Sequence, residues 1–174
     1  MEPVFDVGAF RQALGQFPTG VCVVTTEIGA EKLGMTISSF NSLSLDPPLI
    51  LFGIDRRATS LPLWEQAGCY TVNVLSENQG SLSSRFSKKL SNKWEGVVLD
   101  TSSADGPVLP GAAAIFHCER WAVHDGGDHL LFIGRVTSFR CFRDRRPLVF
   151  SKGQYAALQS DAEHASAWPL GIHY

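Results

Sequence analysis

Gly34-Met-Thr-Ile-Ser-Ser-Phe-Asn-Ser-Leu-Ser-Leu-Asp-Pro-Pro-Leu-Ile-Leu-Phe-Gly-Ile-Asp55 is the stretch whose reading decides the fold. Its first half carries Thr36, Ser38, Ser39, Ser42 and Ser44, with an amide at Asn41. Its second half, residues 49–54, is almost wholly apolar and reads as a buried strand. Between them Asp46-Pro47-Pro48 forces an extended turn, because each proline fixes its own φ and moves its predecessor out of the helical region. A buried hydroxyl without a partner costs about 1–3 kcal/mol. So many hydroxyls beside a buried strand make a surface that hydrogen-bonds something, either its own backbone or a ligand.

Upstream of this stretch, Val21-Cys-Val-Val-Thr-Thr26 is β-branched enough for a strand. The polar residues 27–32 include a glycine and predict a hairpin into residues 33–40, so the two strands are antiparallel neighbours. Before them, Asp6 caps a short helix with Val7, Phe10, Leu14 and Phe17 on one face, and Pro18 ends it. Downstream, Thr59 or Ser60 starts a second helix over residues 61–67, with Pro62 in its first turn. Tyr70-Thr-Val-Asn-Val-Leu75 is a fourth strand, and Ser76-Glu-Asn-Gln79 has the spacing of a capping box before a helix bearing Leu82 and Phe86.

Residues 87–106 are polar and turn-rich, a surface excursion. Residues 113–124 form a long strand with broken alternation, and Asp125-Gly-Gly-Asp128 turns it into its partner, residues 129–142. Leu148-Val-Phe150 is a short last strand before Lys152-Gly-Gln-Tyr155. Strands in this number, joined mostly by hairpins with only short helices, predict a mostly β, antiparallel barrel rather than a doubly wound sheet. Closure also removes unpaired edges.

A chain of 174 residues, 44% hydrophobic and 18% charged, is expected to form one globular domain. Its net charge of -2 argues against a nucleic-acid partner held by bulk electrostatics, and the cluster Arg140, Arg143, Arg145 and Arg146 reads as a solvated turn. No apolar run reaches the roughly 20 residues that span a membrane, and the N-terminus lacks a hydrophobic signal core, so a cytoplasmic protein is expected. Cys22, Cys69, Cys118 and Cys141 are widely spaced, without a Cys-x-x-Cys, and read as buried reduced thiols. His117, Cys118, His124, Asp125, Asp128 and His129 lie close in sequence. No metal site is expected of them: on a strand His117 and Cys118 point to opposite faces, and the two aspartates suit a turn.

Neither Gly-x-Gly-x-x-Gly after a strand, nor a P-loop, nor a Gly-x-Ser-x-Gly elbow is present. A phosphate or flavin site fits better. The loop Arg56-Arg57-Ala58-Thr59-Ser60 ends at a helix start, where free N–H groups and the dipole favour an anion. Arginine and hydroxyl side chains add charge-assisted hydrogen bonds. From the residues alone, a plain N-cap flanked by solvated arginines is an equal reading.

The same hydroxyl-rich stretch resembles the signature of the flavin reductase domain family, the short-chain NAD(P)H:flavin oxidoreductases. Phe17-Pro-Thr-Gly-Val21 before it, and Val72-Asn-Val-Leu75, Gly127-Asp-His-Leu-Leu-Phe-Ile-Gly-Arg-Val136 and Lys152-Gly-Gln-Tyr155 after it, carry the resemblance on in family order. It covers about residues 10–158. The resemblance implies an FMN-binding split β-barrel of antiparallel, Greek-key type over residues 1–158, forming a homodimer with flavin at the subunit interface. It implies reduction of FMN or FAD by NADH or NADPH, with the reduced flavin passed to a separate monooxygenase.

Carried over by position, Thr36, Ser38, Ser39 and Asn41 would line the isoalloxazine and ribityl chain, with Ile37 and Ser42 in the same cofactor-binding stretch. Asp55, Arg56, Arg57, Thr59 and Ser60 would hold the phosphate end, and Arg85 and Phe86 would lie near the distal part. His129 and Tyr155 would face the nicotinamide as the candidate catalytic residues. The sequence departs from the family pattern at Ala58, where relatives place a serine, and Ser60 stands where they place a threonine. Hydride transfer from nicotinamide C4 to flavin N5 asks only for stacking, donors near the ring and exclusion of water. A missing acid–base triad is consistent with it. His129 reads equally as the partner of a hairpin carbonyl, and Tyr155 as a packed aromatic. A non-catalytic flavin carrier and a flavin-dependent oxidase are the alternative activities on this fold. The tail, residues 159–174, carries Trp168, Pro169, Ile172 and Tyr174 and is expected to pack across the partner subunit or over the cleft.

Overall fold

The computed structural model describes residues 5–89, 92–100 and 106–158; the tail therefore lies outside the described residues. Asp6 caps the first helix, α1 (Val7–Leu14), its carboxylate accepting from Gly8 N at 2.8 Å and Ala9 N at 3.1 Å. Then follow β1 (Thr19–Gly20), β2 (Cys22–Ile28), β3 (Glu31–Ile37), β4 (Asn41–Leu45) and β5 (Pro48–Asp55). The one-turn helix α2 (Leu61–Trp64), β6 (Cys69–Val74) and the helix α3 (Gly80–Ser87) come next. Two long strands, β7 (Ala114–Gly126) and β8 (His129–Cys141), precede the short β9 (Val149–Ser151) and β10 (Gln154–Ala156).

Seven strands form one antiparallel sheet in the order β3-β2-β6-β7-β8-β5-β4, and β1-β9-β10 form a second. The two edges of the larger sheet are consecutive in the chain, with only residues 38–40 between β3 and β4. Laid flat, six inter-strand spacings would separate those edges by about 29 Å. Four Cα–Cα steps reach at most about 15 Å. The sheet must therefore curl, and the 38–40 corner is where its edges meet. Ser39 fastens that corner to β5: its hydroxyl accepts from Gly53 N at 2.9 Å and lies 3.3 Å from Gly53 O.

The inside of the curl is the main core. Ile50, Phe52 and Ile54 alternate inward along β5, and Phe52 stacks on Phe132 with ring centroids 5.5 Å apart and Tyr70 edge-on to both. Trp64 from α2 is buried with them. A second cluster, Val21, Val23, Leu75, Phe86, Leu109 and Leu148, lies on the other face of β2, so Cys22 through Thr26 are buried without alternation.

Several elements differ from the sequence reading. Asn41–Leu45 is a strand of its own, paired with β5 through a bulge between Ser42 and Ser44. Only half the capping box forms: Gln79 Oε1 accepts from Ser76 N at 3.0 Å, while the Ser76 hydroxyl turns to Asn78 and α3 starts at Gly80. Bulges at His117/Cys118 and Arg120/Ala122 explain the broken alternation of β7. Cys118 faces the core, whereas His117 lies on the opposite face, 3.2 Å from the Thr71 hydroxyl. Cys141 is exposed, which corrects the reading of all four cysteines as buried; it sits in the half of β8 that extends past β5. The apolar face of α1 is exposed too, from Val7 to Phe17.

Candidate functional site

The site is built on β3, an edge strand. Its middle residue, Gly34, leaves room for two rings: Phe86 from α3 and Trp94, in edge contact with centroids 4.8 Å apart. The Trp94 indole donates to Lys32 O at 2.8 Å, and the ammonium of Lys93 donates to Phe86 O at 3.1 Å and lies 3.4 Å from Gly34 O. Carbonyls that an edge strand leaves unpaired are thus met by side chains of the 92–95 segment. Thr36 ties the far end of β3 to α3 by donating to Ser83 O at 2.7 Å.

These contacts frame a cavity of about 580 Å³ between β3, residues 58–60, the end of α3 and Trp94. That is a usual size for a small-molecule site. Of the expected site residues, Thr36, Thr59, Ser60 and Phe86 line it, and Ala58 lies beside them. Phe86 is itself fully buried, so it forms the floor. Ile37 points into the core, and Ser39 is engaged with Gly53 at the neighbouring corner. Ser38, Asn41 and Ser42 are exposed around that corner. Arg85 is turned away to Glu95 O, at 2.6 Å.

The 55–60 loop is organised differently from a free anion cradle. Arg57 forms a two-pronged pair with Asp55, at 2.7 and 3.1 Å, and Asp55 also accepts from Arg57 N at 2.7 Å. That guanidinium holds the Asp55 carboxyl well below the usual carboxylate range, with a smaller contribution from His129. Arg56 reaches across to Asp125 at 2.5 Å and to Gly127 O at 2.8 Å. Both arginines are thus paired within the chain, and Ser60 makes no side-chain cap to α2.

His129 begins β8 opposite Asp55, with its ring beside Gly53 and its Nδ1 2.7 Å from the Asp128 carboxylate. The bond from His129 lowers the Asp128 pKa, so that carboxylate stays an acceptor. Tyr155 belongs to another neighbourhood: its hydroxyl donates to Ser83 Oγ at 2.9 Å, and its ring packs on Phe150 and faces Gly80. Neither His129 nor Tyr155 lines the cavity. Among the described residues no three His, Cys, Asp or Glu side chains converge as a metal site would require.

The flavin reductase-like domain model matches residues 14–159 of this sequence. The chain belongs to that family. It is 39% identical over 163 residues to the reductase subunit HsaB of a flavin-dependent monooxygenase from Rhodococcus jostii, covering 94% of this chain and 84% of the relative. It is 41% identical over 156 residues to a flavin reductase of Pseudomonas putida, covering 89% and 92%. Among solved structures, the NADH:FAD oxidoreductase SgcE6 of Streptomyces globisporus, in complex with NAD and FAD fragments, superposes with a TM-score of 0.86 at 32% identity, over 93% of this chain and 99% of that one.

For a member of the flavin reductase-like family, the donor set of the β3 cavity fits a phosphorylated flavin: hydroxyls at Thr59 and Ser60, an aromatic floor and an excess of cations. Sequence reasoning missed the cations and the lid over Gly34. Lys32, Lys88, Lys89, Lys93 and Trp94 all line the cavity. Four of these five lie in or beside a polar stretch that reads as a solvated loop. The one local signal was Trp94, a large aromatic residue that is highly buried on average, inside such a stretch.

Proposed function

We propose that this chain is an NAD(P)H:flavin oxidoreductase that moves hydride from NADH or NADPH to FMN or FAD and supplies the reduced flavin to a partner monooxygenase. The observation that carries the reading is the cation- and hydroxyl-lined cavity on β3, in a chain of the flavin reductase-like family. The names of its relatives agree: besides HsaB, they include an FMN reductase (NADH) from Agrobacterium fabrum.

A bound flavin would supply the hydride acceptor and the carrier of the electron pair. The chain's own residues bind and orient. Thr36 and Ser39, locked by Ser83 O and Gly53, hold the β3 wall and the 38–40 corner in fixed positions. Ser38, Asn41 and Ser42 offer their polar groups from that exposed corner, and the backbone of Ile37 passes between. Thr59 and Ser60 close the cavity's opposite side. Asp128, kept ionised, lies 2.7 Å from Nδ1 of His129 and fixes the orientation of the ring, with Nε2 on the side away from that carboxylate. We assign His129 to the nicotinamide side on that basis, and Tyr155 to positioning α3 through Ser83. The curled sheet is read as a split barrel of Greek-key type, and the exposed leucines of β4 as part of a homodimer contact.

The test is anaerobic oxidation of NADH and of NADPH with FMN, FAD or riboflavin added. Flavin-dependent turnover with at least one pair is expected, and its absence with all of them would sink the reading.

A further inference from the structure

The two arginines of the 55–60 loop have separate destinations. Arg57 closes on Asp55 within the loop, whereas Arg56 leaves it and binds the turn between β7 and β8. Three bonds make that junction. Arg56 N donates to Asp128 O at 2.9 Å, its Nε donates to Gly127 O at 2.8 Å, and a terminal nitrogen donates to the Asp125 carboxylate at 2.5 Å. The same carboxylate group accepts from Gly127 N at 2.9 Å, so the guanidinium grips a turn already folded on itself.

The turn is short. Gly126 pairs with His129, which leaves Gly127 and Asp128 as a two-residue loop, and Gly127 takes a φ of 77°, a conformation that favours glycine in such loops. β5 ends at Asp55, opposite His129, so the tip lies beyond the last rung of the β5–β8 ladder. Arg56 extends the hold on that tip with its backbone and its side chain. The tip carries the Asp128–His129 pair, with Nδ1 2.7 Å from the carboxylate. The His129 ring shares one side of Gly53 with the Ser39 hydroxyl: a Cβ on Gly53 would stand 3.6 Å from His129 Cδ2 and 3.7 Å from Ser39 Oγ. A swing of the tip would therefore carry the ring away from the 38–40 corner. The Arg56 and Asp125 side chains are 41% and 76% exposed, and an ion pair on the surface adds little to stability. Its consequence lies in where it holds the turn.

We propose that Arg56 is a positioning residue for the reaction: its guanidinium clamps the β7–β8 turn and so fixes the His129 ring against Gly53, beside the 38–40 corner. The proposal rests on the flavin reductase reading above, in which His129 faces the nicotinamide. Arg56 acts through His129 and touches neither cofactor.

The test uses Arg56→Met, His129→Ala and the double variant. Arg56→Met keeps the backbone bond to Asp128 O and removes only the two side-chain bonds. Anaerobic flavin reduction at varied NADH should show kcat/KM for NADH lowered about tenfold in Arg56→Met, as for a misplaced group. The flavin dissociation constant and the urea midpoint should stay close to wild type. In the His129→Ala background the same substitution should cost less than about twofold, because the two residues act as one unit. In proton–carbon NMR spectra the His129 ring signals should shift or broaden in Arg56→Met, while those of His117 stay in place. Weaker flavin binding with kcat/KM for NADH unchanged would overturn the proposal by placing Arg56 on the flavin. A full tenfold loss without the His129 ring would overturn it, and so would wild-type kinetics in His129→Ala or unmoved His129 signals. Moved His129 signals in a protein that reduces no flavin would keep the clamp and reject the reductase reading.

Discussion

Gly34 shows how one residue sets the site. A Cβ there would stand 2.4 and 2.6 Å from two ring atoms of Phe86 and 2.9 Å from Trp94. Phe86 is fully buried against Val23 and Leu109 and has nowhere to retreat. Gly34→Ala is expected to cost about 1–3 kcal/mol, the usual range for overpacking. Urea unfolding should show a lower midpoint with an unchanged slope, whereas a wild-type midpoint would mean that the rings shift freely. Asp55 makes a second case. Its folded pKa is depressed, so its contribution is fully present above its unfolded value near 4 and is lost as pH falls through the folded one. Asp128 acts in the same direction through His129. Thermal midpoints should therefore fall below pH 4, and Asp55→Asn should flatten that fall. The effect is modest and weakens with salt, because the pair is on the surface. An identical acid limb in the variant would show that the pair is not stabilising.

At the scale of elements, Asn73 of β6 fastens the long α3–β7 connection to the sheet. Its amide donates to Val23 O at 3.1 Å and accepts from Leu109 N at 2.9 Å, all buried. Thr25 donates to Pro107 O at 2.6 Å beside it. Asn73→Ala leaves the Leu109 N–H buried without a partner and is expected to lower stability by about 1–3 kcal/mol. Limited proteolysis should then open the chain near residues 106–109 first; cleavage no faster than in wild type would count against the tether. This bond also shows where sequence reading stops. The β2–β3 and β7–β8 hairpins were legible because Gly29 and Asp125–Asp128 announce their turns within a few residues. The pairings β2–β6 and β5–β8 join distant segments and leave no local mark. β4 was hidden because its alternating leucines, Leu43 and Leu45, face outward rather than into the core, and its register slips at a bulge. The same contrast holds in the site. Thr36 was legible as an unusual hydroxyl, but Lys93 only acquires meaning when Trp94 packs over Gly34.

For the whole molecule, the two edges of the curled sheet have different fates. The β3 edge is covered by Trp94 and Lys93, which bond its carbonyls. Among the described residues the β4 edge pairs only with β5, and it carries Leu43 and Leu45, 42% and 76% exposed. An exposed edge with outward leucines is a site for association, and proteins normally blunt it with charge or cover it. β4 has no charged residue between Asn41 and Leu45 and is blunted only by its bulge at Ser42/Ser44, so covering of its leucines is expected. A homodimer whose interface includes β4 is the reading that follows, and a stable one needs about 800 Å² from each chain. It would also place the exposed 38–40 corner, and with it the proposed flavin-binding residues there, close to the subunit boundary. Sedimentation velocity at micromolar concentration should give the mass of two chains for wild type. Leu45→Glu puts a charge into the contact and should shift that mass towards one chain, with a melting temperature that no longer rises with protein concentration. Because Leu45 is on the surface, the variant chain should keep its fold and its circular dichroism spectrum. A wild-type protein that sediments as one chain, or a Leu45→Glu variant that still sediments as two, would remove β4 from the interface.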